Sequence, residues 1–268
     1  TERTYQNWIP GWLTRKRYPS LTLAKNRFKG WGETTGKMLA SVDHMPAQAL
    51  LLGRCQDGLP LFMDMSNPDL GAILIGGDPG SGKTHHIQAL VDTATRTHSP
   101  HELQIAILTH KPDEWDLLLN TGHARRYFQS CHAWYDKRAE KVIHSLYEMA
   151  ERRREGQSER PSIIFVLDDL NFIENLSFEA QVELHWLLAY GAQSNIWLVG
   201  AINAGLASRY RFWMETFRTR IIGRIRSIGH LRDVTLQDEV RMRILEPSTF
   251  RVWTGRDWMT YQIPLLGD

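Results

Sequence analysis

Gly77-Asp78-Pro79-Gly80-Ser81-Gly82-Lys83-Thr84 fits the pattern G-x-x-x-x-G-K-[ST], and the fold is read outward from it. Glycines at 77, 80 and 82 allow a backbone turn tight enough for successive N–H groups to face phosphate oxygens. The helix that follows offers its positive N-terminal end to the same anion. Lys83 is then the residue to neutralise the β and γ phosphates of a nucleoside triphosphate, and Thr84 the residue to ligate Mg²⁺. The flanks support this. Ala72-Ile73-Leu74-Ile75 is a short apolar run of the buried-strand kind. Residues 83–97 contain no Gly or Pro and carry Ile87, Leu90, Val91 and Ala94 at helical spacing.

The 268 residues are 42% hydrophobic and 23% charged, enough to bury a full core, which excludes a disordered chain. With a net charge of +2, a polyanionic partner has to be met by local basic patches. Cys55 and Cys131 lack C-x-x-C spacing, which suits a reducing compartment and argues against a disulfide framework or zinc site. The eleven histidines, among them His85, His86, His98, His101 and His110, show no ligand spacing for a metal. No apolar run approaches the ~20 residues that span a bilayer. The expectation is a cytoplasmic domain, tethered to a membrane only through a segment outside this sequence.

Residues 1–48 read as an irregular N-terminal arm. Trp8, Trp12, Phe28 and Trp31 alternate with Arg15, Lys16, Arg17, Lys25, Arg27 and Lys29. Such a pattern either stacks on and neutralises nucleic acid, or packs its aromatics on protein while its cations face water. Residues 49–268 read as one nucleotide-binding domain. A β-hairpin turns at Gln56-Asp57-Gly58 and leads into strand 72–76, helix 83–97, strand 104–109, a short helix near 113–120 and a long helix at about 133–155. The long helix ends in Arg152-Arg153-Arg154, either a solvated end that complements the helix dipole or a binding site. Then come a strand ending at Asp168-Asp169, a helix at about 178–190, strand 195–203, and strands in 219–226 and 249–263. Alternation of this kind predicts an α/β fold with a mostly parallel sheet and helices on both faces. Its ligands bind at the carboxyl ends of the strands.

A Mg²⁺–nucleotide site needs a strand-end carboxylate for the metal and a second group for the attacking water. Asp168 and Asp169 fit those two roles, on a strand buried by five consecutive apolar residues. Asn203, at the end of another strand, either holds the water or the γ-phosphate or simply closes a turn.

Taken together these residues resemble the FtsK/HerA family of hexameric DNA-pumping P-loop ATPases, which are RecA-like, and most closely the FtsK/SpoIIIE motor domain. The similarity runs from about Leu50 to Leu266. Lys111-Pro112-Asp113-Glu114 is similar to the family's D-P-K-x-x-E element, with Thr109 where the family has Asp. Met149-Ala150-Glu151-Arg152-Arg153 resembles the M-x-x-R-R helix end. The stretch from Gly191 to Asn203 is similar to G-R-A-x-G-I-H-L-I-L-A-T-Q, and Thr219-Arg220-Ile221 to T-R-I. Arg232 falls at the spacing of the arginine in the family's D-S-R.

The resemblance implies an ATP-hydrolysing homo-oligomer, a hexamer around double-stranded DNA. It makes Arg220 an arginine finger for the neighbouring subunit's ATP and puts Arg232 near a DNA-facing loop. No winged-helix module follows within this sequence. Asp169 replaces the family's Glu and Asn203 its Gln, each shortening the side chain by one methylene, roughly 1.5 Å. Two alternatives follow from those substitutions and the near-neutral charge: a type VII secretion-like ATPase moving protein, and a nucleotide-gated assembly module that hydrolyses weakly.

Overall fold

Strand-forming runs in this chain are short and apolar on both sides, as central strands of a covered sheet have to be. The computed structural model describes residues 13–15, 32–42, 45, 48–122, 124–156, 160–237 and 244–267. The strands are β1 (Leu13–Arg15), β2 (Ala49–Cys55), β3 (Pro60–Asp64), β4 (Ile73–Gly77), β5 (Leu103–Thr109), β6 (Phe128–Ala133), β7 (Ser162–Asp168), β8 (Ile196–Asn203), β9 (Thr219–Ile222), β10 (Thr249–Trp253) and β11 (Trp258–Gln262). The helices are α1 (Thr35–Ala40), α2 (Lys83–Thr97), α3 (Asp116–Leu119), α4 (Arg138–Arg154), α5 (Phe178–Tyr190), α6 (Arg211–Met214) and α7 (Ile228–Thr235).

All the strands join one eleven-stranded sheet of order β1-β3-β2-β11-β10-β9-β4-β8-β7-β5-β6. From β9 to β6 the neighbours are parallel, and from β9 back to β1 they are antiparallel. Strand β7 shows how the sheet is covered. Ile163, Phe165 and Leu167 pack in one core with Ile143 and Leu146 of α4 and Leu184 and Leu187 of α5. Ile164 and Val166 join the other core with Ile87, Leu90, Val91 and Ala94 of α2. Each fully buried aliphatic side chain contributes about 1.5–3 kcal/mol, so the strands that carry the site sit on a stiff platform.

The expected order of strands and helices is present, with three differences. Residues 128–133 form the edge strand β6, and the helix expected from about 133 begins at Arg138. The β6 side chains are mostly half-buried and lack the continuous apolar run of a central strand. Helices α6 and α7 were not expected; Ser227 caps α7 by accepting from the His230 backbone N–H at 3.4 Å. Within 1–48, β1 pairs with β3 and α1 is helical, so this segment is not irregular throughout. Trp8, Trp12, Phe28, Trp31 and the cations Lys16, Arg17, Lys25, Arg27 and Lys29 lie outside the described residues.

The antiparallel half is tied to the nucleotide-loop helix by a buried contact. His86 Nε2 lies 2.6 Å from Tyr261 Oη, and the His86 ring meets Phe250 edge-on at 4.5 Å. Complete burial pushes the His86 pKa down to about 3. The unfolded chain therefore binds a proton that the folded chain refuses between pH 6.5 and 3. Stability is full above pH 6.5 and falls with acid through that window. Between pH 7.5 and 5 the native protein should lose about 2 kcal/mol more than His86→Gln, which keeps a hydrogen-bonding amide without the titration. Denaturant unfolding at the two pH values measures the difference, and parallel losses would refute the assignment.

Candidate functional site

Strand β4 runs into the phosphate loop at a point where bare backbone is required. A Cβ on Gly77 would sit 2.4 Å from Ser81 Oγ, and Gly80 and Gly82 have φ of +71° and +91°. The Lys83 ammonium lies across this loop, donating to the Gly77 and Asp78 carbonyls at 3.0 and 3.1 Å. Burial lowers its pKa, opposed by Asp169, Asp168 and Asp78 in that order. Ser81 Oγ is buried without a hydrogen-bond partner among the described residues. A hydroxyl stranded in a glycine cradle is suited to an incoming phosphate oxygen. The segment after β9 fastens the loop: Asp78 N–H donates to Arg224 O at 2.9 Å, Arg226 N–H to Asp78 Oδ2 at 3.0 Å, and Arg224 Nη2 to Gly80 O at 3.3 Å.

Opposite the loop, β7 ends at Asp168, a residue only 7% exposed. Its Oδ1 accepts from Thr84 Oγ1 at 3.0 Å and its Oδ2 from Thr109 Oγ1 at 3.1 Å. Burial raises the Asp168 pKa against the lowering effect of these hydroxyls. Thr109 stands where the resembling family has Asp, and here it supplies a donor in place of a second buried charge. Asp169 has φ 102° and ψ 109°, a conformation that costs on the order of 1–3 kcal/mol in a non-glycine residue. Its carboxylate accepts from the Asn171 backbone N–H and Nδ2, both at 3.0 Å. Burial is the main cause of its raised pKa, opposed by the Asn171 hydrogen bond, Lys83 and His110.

Asn203 pairs in register with Gly77, so β8 brings it directly beside the loop. Its Oδ1 accepts from Gly205 N–H at 3.2 Å, which leaves the amide N–H groups as its donors for a ligand. A cleft of about 340 Å³ is lined by Lys83, Thr84, Thr109, His110, Asp168, Asp169 and Asn203, among others. The fold thus gathers the loop, both carboxylates and Asn203.

It does not gather the two arginines. Arg220 donates to Met214 O at 2.9 Å and Val234 O at 3.2 Å, and burial lowers its pKa to about 10. A guanidinium so engaged braces the end of α6 against α7. Arg232 is exposed on α7, away from the cleft lining. The sequence reading overlooked Arg224, whose only sequence signal was its place after the T-R-I match, and His110, the residue following Thr109.

No protein-family model matches the chain, and no curated protein does. Solved structures do match. Thermomonospora curvata EccC (ATPases 2 and 3), in complex with a signal sequence peptide, superposes with a TM-score of 0.65 at 15% identity. That match covers 82% of this chain and 41% of EccC, so this chain spans less than half of that structure. The pCW3 conjugation coupling protein TcpA with ATPγS gives 0.57 at 16% identity, covering 83% and 67%. The genome packaging NTPase of Sulfolobus turreted icosahedral virus 2, also with ATPγS, gives 0.51 at 14% identity, covering 74% and 100%. The fold is that of the P-loop ATPases.

Arg220→Ala would remove the guanidinium from the Val234 carbonyl and leave the Met214 carbonyl only its Phe217 N–H donor, and we expect it to lower stability by about 1–3 kcal/mol in chemical denaturation. A variant as stable as the native protein would show that the brace is dispensable.

Proposed function

We propose that the chain is the ATP-hydrolysing motor domain of a hexameric ring that moves double-stranded DNA. The observation that carries the ATPase part is the Thr84–Asp168–Thr109 bridge, which faces Lys83 within one cleft. Lys83 binds the terminal phosphates of ATP, and the residues from Gly77 to Thr84 surround them. Thr84 and Asp168 offer hard oxygen donors that fit Mg²⁺, which when bound neutralises phosphate charge. Asp169 takes the proton of the attacking water; the burial that raises its pKa makes it a stronger base than an exposed carboxylate. Asn203 orients that water or the γ-phosphate through its amide N–H groups. Arg220 would reach a neighbouring subunit's ATP only after leaving both of its carbonyls.

The DNA part rests on the FtsK-like motif order, with Arg232 exposed on α7 as the contact. A second reading, in which the motor moves protein, is favoured by the likeness to EccC in complex with a signal sequence peptide and by the net charge of +2.

Steady-state phosphate release with and without duplex DNA, at two salt concentrations, tests both parts. We expect turnover that DNA stimulates, with the stimulated part falling steeply as salt rises. Lys83→Ala should abolish it, and Asp169→Asn should slow it by about 10²-fold or more while ATP still binds. Turnover indifferent to DNA but raised by a secreted polypeptide would replace the DNA reading with the protein one. An absence of turnover would leave a nucleotide-gated module.

A further inference from the structure

The His110 side chain lines the cleft and has no role in the scheme above. His110 follows the last residue of β5 and is exposed at the cleft wall. The β5–β6 register pairs Thr109 with Ala133, and Trp134 N–H extends the ladder by donating to Thr109 O at 3.0 Å. His110 and Trp134 are thereby held side by side. Their rings stack at 5.9 Å with a 26° interplanar angle, and Trp134 Nε1 lies 3.1 Å from His110 Nδ1.

An indole N–H can only donate, so His110 Nδ1 accepts and the ring proton resides on Nε2. The indole is itself held: Phe172 stacks on it at 6.5 Å, and Tyr135 meets it edge-on at 5.6 Å and His110 at 6.3 Å. Both the tautomer and the plane of the imidazole are therefore set by packing at the sheet edge.

We propose that His110, as its Nε2–H tautomer, donates a hydrogen bond to the terminal phosphate of the bound nucleoside triphosphate, and that Trp134 is its positioning residue. The inference rests on the nucleotide reading of the cleft. Two carboxylates on this wall, Asp168 and Asp169, repel phosphate oxygens, and Lys111 is paired with Glu114 at 3.0 Å. A donor fixed beforehand offsets that repulsion without reorganising on binding.

Equilibrium titration of the whole chain with ATPγS and with ADP, both with Mg²⁺, separates the possibilities. His110→Ala should weaken ATPγS about tenfold and leave ADP within about twofold, since a donor to a charged group is lost only where the terminal phosphate is present. His110→Gln, whose amide reaches the Nε2 position, should restore ATPγS affinity to within about threefold. His110→Asn, whose amide reaches only the Nδ1 position, should behave like Ala. Trp134→Phe, which keeps an aromatic ring and drops the N–H, should weaken ATPγS selectively by a smaller factor. Equal losses for both nucleotides, no loss, or Asn matching the native protein would overturn the inference while leaving Lys83-dependent binding in place. Failure of the native chain to bind either nucleotide would instead overturn the reading of the cleft, and this inference with it.

Discussion

A single buried carboxylate joins the parts of this site. Asp168 emerges from the centre of the parallel strands and accepts one hydroxyl from the start of α2 and another from the end of β5. Desolvating a carboxylate is costly unless its oxygens are satisfied, so the two threonines are what let it remain at that depth. The geometry also ranks the donors. Thr84 belongs to the phosphate loop helix and is suited to exchange Asp168 for a cation, whereas Thr109 holds the opposite oxygen from a rigid strand end. With Asp at 109, a second carboxylate would stand beside Asp168, and its repulsion would replace a hydrogen bond.

Around this carboxylate the loop, β9 and α7 form one packed block. The segment after β9 fastens the loop through Asp78 and Gly80, and α7 lies so close to β4 that a Cβ on Gly76 would sit 2.3 Å from Val234. Arg220 ties α7 to α6 through backbone carbonyls. The phosphate loop and the helix that bears Arg232 thus belong to the same packed block. The aromatic group at the other wall, Trp134 with Phe172 and Tyr135, fixes a cleft residue in place.

Much of this was legible in the sequence because central strands and phosphate loops carry local signals. Glycines at 77, 80 and 82, the apolar run before Asp168 and the helical spacing after Lys83 are short-range patterns with direct physical causes. Edge strand β6 was not legible, since it is half-buried and its residues alternate without an apolar run. The bonds of Arg220 were not legible for a related reason: a sequence match fixes a residue's place in a strand but not which carbonyls its side chain finds. His110 was invisible as a cleft residue because its orientation depends on Trp134, which only strand pairing brings beside it.

The most direct measurement is an experimental structure of the chain with Mg²⁺ and ATPγS. We expect the Lys83 ammonium moved from the Gly77 and Asp78 carbonyls onto phosphate oxygens, Thr84 and Asp168 turned to one metal ion, and Asp169 and Asn203 facing the terminal phosphate. Nucleotide bound elsewhere, or Lys83 still on those carbonyls at saturating nucleotide, would contradict this expectation.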